Sequence, residues 1–504
     1  MRRITIGVFL TILFHFSGLT AWPAASSPAS IRETPPAPRF TDSERQAELA
    51  RRREAVGKAM SDKSMLILFS AEPKLYTNDV NYVFRQENNL YYLTALKQAN
   101  TTLILVKVAG EIQSFLFVPK RNPLTETWNG RMYSNEEVRT ISGIPTVLDS
   151  AELPAFLNAV REKRSFTNKE NNFTFSVVPS IIYMLLPMVE ADRIGNLEYR
   201  RENEFAKQLT GYKLENARII FTDLRQIKSP YEIKLLQHAV DITTEAQERA
   251  WLAAPTAKME YEVQAEVEYV YRKRNADFWG YPSIVGCGPN ATTLHYEEAQ
   301  GPIIRGSLLL MDVGAEYEHY TADVTRTIPV SGKFSKEQAE IYRIVFDAQE
   351  AVAKATKPGV TMAQLNEIAR NVIKDGLFTL GLITDRSSDQ YRIYYMHSLG
   401  HWLGMNVHDV GRNGPPLRAG MVFTNEPGIY IREDALSNLS DTPANREFIS
   451  KVRPAFEKYK NIGVRIEDDM LVTETGVEWM TKDLPRKLED VEAFMSSGKT
   501  ASEK

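Results

Sequence analysis

A chain of 504 residues, 43% hydrophobic and 25% charged, is ordinary globular material and too long for a single core, so about two to four domains are expected. Its 61 Lys and Arg against 64 Asp and Glu leave a net charge of -3, too weak a field to gather nucleic-acid backbone or anionic lipid. The one cysteine, Cys287, excludes an internal disulfide framework, a Cys-rich zinc site and an iron–sulfur cluster, so any metal must sit on His, Asp and Glu.

Residues 1–29 read as a secretory signal peptide: Arg2 and Arg3, an apolar run over 4–16, Gly18, then small residues up to Ala29. The run is short for a bilayer, which needs about 20 apolar residues, and it contains His15, so a membrane anchor is the lesser reading. Export to the periplasm or exterior, with no stable membrane span after cleavage, is the expectation. Residues 30–40, rich in Pro, form an extended linker.

Residues 41–215 predict a smaller α/β domain. Leu49, Val56 and Met60 fall at helical spacing in a charged stretch, and 65–69, 90–93, 102–108, 112–118 and 173–178 are strand-like apolar runs. A second domain is expected over 216–495. Ser229-Pro230-Tyr231-Glu232 opens a helix, with Pro near its first position and an acid in its first turn. Helices over 230–253 and 260–273, strands, a second helix pair over 336–354 and 362–376, and strands again predict an α+β catalytic domain with a mostly antiparallel sheet.

Three of the seven histidines, His397, His401 and His408, fall within twelve residues, a crowding that marks a site. Asp312 ends the apolar run of Gly306-Ser-Leu-Leu-Leu-Met-Asp312, and Asp323 follows eleven residues later in Tyr320-Thr-Ala-Asp323. Glu426 and Glu467 each interrupt an otherwise apolar strand pattern. A buried carboxylate must be paired, hydrogen-bonded or metal-bound. Period-two alternation puts Arg465, Glu467 and Asp469 on one strand face and Asp468 on the other. Four carboxylates and an imidazole supply hard oxygen ligation for two divalent cations, the arrangement used for two-metal hydrolysis.

In this order, Asp312, Asp323, His401, Glu426 and Glu467, with the surrounding MDVG, YTADVTRT, HSLGHWLG, VHDVG, NEPGIYI and GVRIEDD, resemble the pita-bread metallopeptidases, which include methionine aminopeptidase, Xaa-Pro aminopeptidase and prolidase. The segment from Tyr281 to His295 resembles that family's substrate side. The stretches from Phe84 to Thr94 and from Thr125 to Arg131 are similar to the creatinase-like front domain of Xaa-Pro aminopeptidases. The resemblance implies a pita-bread catalytic domain behind a creatinase-like α/β domain. It implies that Asp312 chelates one metal, Asp323 and Glu467 bridge both, and His401 and Glu426 complete the second. Manganese is the expected cofactor, with zinc or cobalt as alternatives.

Glu426 is the expected acid/base. The resemblance puts His295, His397 and His408 on the catalytic substrate side, and Tyr281, His295, His408, Arg465 and Trp128 are expected as the substrate-binding set. Trp128 resembles a family tryptophan that reaches a neighbouring subunit's site, which implies a homodimer or homotetramer. The expected substrate is a peptide with proline at its second position; prolidase activity is the alternative, and a non-catalytic peptide-binding protein the remote one. Departures from the aminopeptidase pattern are Gly400, Asn406 and a long stretch over 434–460, none at a ligand.

Overall fold

The computed structural model describes residues 31–502 apart from 171 and 189–192, so the expected signal peptide lies outside the described residues. The N-terminal domain is built on a mixed six-stranded sheet. Its strands are β1 (Ser64–Phe69), β2 (Thr102–Val108), β3 (Glu111–Val118), β4 (Val147–Asp149), β5 (Ile181–Met184) and β6 (Lys213–Asn216), in the order β6-β5-β1-β2-β3-β4. β1 is buried along its whole length because both of its faces are covered. Alternation sends Met65, Ile67 and Phe69 into a core with Phe115, Phe117 and Phe156, and turns Leu66 and Leu68 toward the catalytic domain.

Helix α1 (Asp42–Ala59) starts at a capping box made by Thr41 and Glu44. The run 90–93, expected as a strand, lies instead within helix α2 (Asn88–Thr94). Four apolar residues suit either form; the Glu87 carboxylate decides it by accepting the N–H of Leu90, and Ala95 ends the helix in a left-handed conformation. Residues 31–40 carry no helix or strand but are pinned down, since Thr34 is buried and donates its N–H and hydroxyl to Glu245 at 2.7 and 2.6 Å.

Beyond β6 the chain is α+β. Helices α3 (Pro230–Ala253) and α4 (Glu260–Lys273) start and stop where the Ser229 cap and the apolar spacing predict, and α5 (Lys336–Ala355) and α6 (Met362–Thr379) form the second pair. Strands β7 (Ile284–Cys287), β8 (Leu308–Val313) and β9 (Val324–Pro329) form one antiparallel sheet in chain order. β10 (Val422–Asn425) pairs with β13 (Asp468–Val472), and β11 (Gly428–Tyr430) with β12 (Gly463–Arg465), again antiparallel. Ile242, Ala246, Val263 and Val267 of α3 and α4 pack on Leu309, Met311 and Val324. Ile341, Val345, Leu365 and Ala369 of α5 and α6 pack on Phe423, Ile429 and Ile466. Each half of the sheet system thus has a helix pair behind it and an open front. Among the described residues no helix is long and apolar enough to cross a membrane.

Candidate active site

Asp312 lies on β8, opposite Thr325 of β9, and Asp323 stands immediately before β9. A Cβ on Gly314 would lie 1.9 Å from the Ala322 carbonyl oxygen and 2.9 Å from the Tyr281 ring, so the absence of a side chain there lets these limbs close together. The Tyr281 hydroxyl sits in the gap, 2.5 Å from Asp312 Oδ1 and 2.6 Å from Asp323 Oδ1. Asp312 Oδ2 accepts from Arg465, whose guanidinium also donates to Thr325 Oγ1 at 3.0 Å and Tyr430 Oη at 2.8 Å. Thr325 in turn donates to Glu467 Oε2 at 2.5 Å.

His401 faces the same point from an irregular loop. Its Nδ1 is 3.1 Å from the Trp402 carbonyl oxygen, a contact that demands a proton on Nδ1 and aims Nε2 inward. Nε2 lies 3.4 Å from Asp323 Oδ2 and 3.3 Å from Glu426 Oε1. Thr424 holds both partners: its hydroxyl accepts the His401 N–H at 3.0 Å and donates to Glu426 Oε1 at 2.9 Å. Ligand atoms of Asp323, His401 and Glu467 all lie within 4.8 Å of one another. Glu426 joins them through His401, and Asp312 through Tyr281.

The electrostatics of this cluster call for positive charge. Burial raises the Asp323 carboxyl, with the charge of Asp312 adding to it and His401 opposing. Burial also raises Glu467, reinforced by Asp323, Glu426 and Asp312. Burial works against a charged His401 and a charged Glu426, but the hydrogen bonds of the imidazole to Asp323 and Glu426, with the attraction of both carboxylates, lift the imidazole, and the same bond to His401 lowers the Glu426 carboxyl. One Asp469 oxygen is buried without a partner, while its other oxygen accepts the Asp323 N–H at 3.2 Å. Such a set, four crowded carboxylates and one oriented imidazole with no sulfur, fits hard divalent cations.

These residues form the floor of a cavity of about 540 Å³, walled by Tyr281, His295, His397 and His408 and by the apolar Pro282, Ile284, Leu294 and Val407. His295 and His408 are exposed, and the His408 ring meets His401 edge-to-face with centroids 4.3 Å apart. His397 has both nitrogens engaged, Nδ1 with the Ser398 carbonyl at 2.8 Å and Nε2 with the Tyr430 hydroxyl at 2.9 Å. Burial lowers the pKa of His397, and on His408, whose edge is open to the cavity, desolvation of the covered side of the ring and then the charge of His401 lower it too, so both favour their neutral forms. Asp468, on the opposite strand face, is fully buried and paired with Arg326 at 2.6 Å. Trp128 is not brought to this cavity; it is 87% exposed on the helix Pro123–Asn129. The hydroxyls of Thr325, Thr424 and Tyr430 are the part that the sequence leaves unmarked. Only the shared strand face of Asp323 and Thr325 offers a hint of them.

Residues 234–474 match the Metallopeptidase family M24, and residues 49–167 match the Aminopeptidase P, N-terminal domain family. The chain is 36% identical over 458 residues to the Xaa-Pro aminopeptidase of Haemophilus influenzae, covering 89% of this chain and 97% of the relative. It is 31% identical over 460 residues to the Escherichia coli Xaa-Pro aminopeptidase, with 89% and 97% covered. Among solved structures it resembles Escherichia coli aminopeptidase P with the inhibitor Pro-Leu, at a TM-score of 0.76 and 30% identity over 90% of this chain and 99% of that one. With the front domain, the α+β back half and the carboxylate-lined cavity all in place, this kinship means that the chain belongs to the aminopeptidase P family of M24 metallopeptidases.

Proposed function

We propose that this hydrolase removes the N-terminal residue from peptides whose second residue is proline, using two divalent cations held by Asp312, Asp323, His401, Glu426 and Glu467. The observation that carries the reading is the convergence of these five side chains on the floor of one half-apolar cavity. Bound there, the cations supply Lewis-acid chemistry, acidifying water near neutral pH and polarising a carbonyl. Manganese is the cation we infer from the donor set, all oxygen except for one imidazole.

Glu426, braced by Thr424 and His401, is the carboxylate placed to take a proton from water and hand it on. His295 and His408, exposed on the wall, face the space a substrate carbonyl would occupy and supply N–H donors where charge develops. A tertiary proline amide must gain a proton on nitrogen to leave, and a neutral imidazole poised beside it can relay one. Pro282, Ile284, Leu294 and Val407 give the pyrrolidine ring and the first side chain an apolar surface. Arg465 and Tyr281 hold Asp312 and Asp323 in register with this wall.

Export follows from the apolar run over 4–16, and assembly as a homodimer or homotetramer from the exposed Trp128 and Leu124, 87% and 78% accessible, which a second copy would cover. The deciding experiment is cleavage of Ala-Pro-Ala by protein stripped with a chelator and then supplied with Mn2+. Free alanine should appear only after the metal is restored. Cleavage confined to dipeptides would make the protein a prolidase, and no release with any divalent cation would end the peptidase reading.

A further inference from the structure

The four carboxylates sit at or just beyond the ends of strands, where a ladder loses its hydrogen bonds and the backbone is least constrained. Two glutamines make up the difference. Gln247, in the middle of α3, has no exposed surface, and its Nε2 donates to the carbonyl oxygens of Met311 at 3.1 Å and Val324 at 2.9 Å. These are the chain neighbours of Asp312 and Asp323. Gln349, in the middle of α5, is equally buried, and its Nε2 donates to the carbonyls of Asn425 and Ile466, both at 3.1 Å. These are the chain neighbours of Glu426 and Glu467. The same nitrogen also reaches Asp468 Oδ2 at 2.7 Å.

The two clamps are built alike. Each comes from the first helix of a helix pair, each bridges the carbonyls of two separate segments, Met311 of β8 with Val324 of β9 and Asn425 of β10 with Ile466 just past β12, and each has its amide oxygen engaged by another side chain. Trp251 Nε1 donates to Gln247 Oε1 at 3.0 Å, and Arg486 to Gln349 Oε1 at 3.4 Å. A buried amide is costly unless its hydrogen bonds are made, and a helix face packing on a sheet needs only an apolar residue at such a position. An NH2 group has two protons in a fixed fork, so bridging two carbonyls at Gln247 sets the spacing of the segments where Asp312 and Asp323 leave them, while Gln349 shares its two protons among the Asn425 and Ile466 carbonyls and Asp468 Oδ2 and ties those three groups together.

We infer that Gln247 and Gln349 are positioning residues for the metal centre: each fixes one pair of carboxylates, Asp312 with Asp323 and Glu426 with Glu467, and together they set the affinity for divalent cations. The inference rests on the two-cation reading above. Groups that hydrogen-bond a metal's ligands typically change its affinity by about 10- to 100-fold, and the glutamines act on the backbone beside each ligand, so the lower end of that range is expected.

The test is calorimetric titration of chelator-stripped protein with Mn2+, comparing the parent with Gln247→Met and Gln349→Met, which keep side-chain length and remove the donors. Each variant should bind Mn2+ roughly tenfold more weakly or worse, and the Mn2+ needed for half-maximal cleavage should rise in step, with activity returning at excess metal. A binding constant within about twofold of the parent, with only a lowered melting temperature, would reduce the glutamines to packing and overturn the inference. If a Met variant does not fold, Gln247→Asn or Gln349→Asn, too short to bridge both carbonyls, is read in the same way. A parent that binds no divalent cation defeats both readings. A parent that binds Mn2+ but cleaves no Xaa-Pro peptide defeats the proposed substrate alone, because the titration still measures the clamps.

Discussion

Glu202, in the helix Arg200–Ala206, is a carboxylic acid only 4% exposed, and burial pushes its carboxyl from the ordinary 4.5 up to about 7, with Arg201 pulling it down and Glu87 and Glu72 adding to the rise. The unfolded chain gives up this proton near 4.5 while the folded chain keeps it to about 7. Stability from this group is therefore complete below the lower value and lost as pH climbs to the higher one, a loss of roughly 3 kcal/mol by linkage. Glu202→Gln has no proton to lose. Urea denaturation should find the variant more stable than the parent at pH 8 and similar to it at pH 4, whereas equal stabilities at pH 8 would show that the carboxyl is solvated. Nothing in Arg-Arg-Glu-Asn-Glu distinguishes Glu202 from a surface charge, since burial here comes from the tertiary surroundings. Asp312, Glu426 and Glu467 are legible for the opposite reason: an acid that interrupts an apolar strand needs an explanation within its own segment. Alternation also separates Asp468, paired with Arg326, from Asp469, which takes the Asp323 N–H. The hydroxyls of Thr325, Thr424 and Tyr430 escape the same reading because such residues are common in strands for packing reasons alone.

At the scale of elements, His401 and His408 stand on a loop whose residues 401–409 form no helix or strand, so its shape depends on what grips it. Much of the grip comes from the N-terminal domain. Arg85 and Asn88 donate to the Met405 carbonyl at 2.9 and 3.2 Å, and Asn88 Nδ2 also donates to Asn406 Oδ1 at 2.8 Å. Asn89 accepts at 2.8 Å from Arg225, whose other arm holds Asp409, the residue after His408. Asn88→Asp would keep the shape and turn the donor into an acceptor facing two oxygens. A misplaced loop should then lower kcat by about tenfold or more while KM moves less, because a small error in catalytic geometry is costly. Steady-state kinetics well below the melting temperature would check this, and an unchanged kcat would make the contact merely cohesive. The apolar run 90–93 hides this role in the sequence, since by itself it suggests a strand. The Glu87 cap makes it a helix, and Asn88 and Asn89 at the start of that helix lie within reach of the loop.

At the scale of the whole molecule, the two domains share a core. Leu66 and Leu68 of β1 and Leu90 and Leu93 of α2 belong to one apolar cluster with Leu235, Tyr320, Leu403, Met405 and Val422 of the catalytic domain. Leu403 and Met405 come from the same loop that carries the histidines, so the face of the N-terminal sheet that looks toward the site is continuous with the site's own support. Domains joined by a polar surface can melt separately, but a buried apolar seam exposes both partners when either opens. The chain should therefore unfold in one step. Leu68→Ala, on the shared face, removes fully buried carbon at a cost of about 2–5 kcal/mol and should lower a single transition temperature for every probe together. In a background with Trp128 replaced by Phe, the fluorescence of Trp251, Trp279, Trp402 and Trp479 reports the catalytic half, and far-UV circular dichroism reports the whole. Coincident midpoints of the two probes, in the parent and again in Leu68→Ala, support one cooperative unit, because destabilising the sheet then carries the catalytic-half tryptophans with it. A fluorescence transition that stays at the parent temperature in Leu68→Ala would mean that the catalytic domain stands alone and that the N-terminal domain acts on the site only through the polar contacts at Asn88 and Arg85.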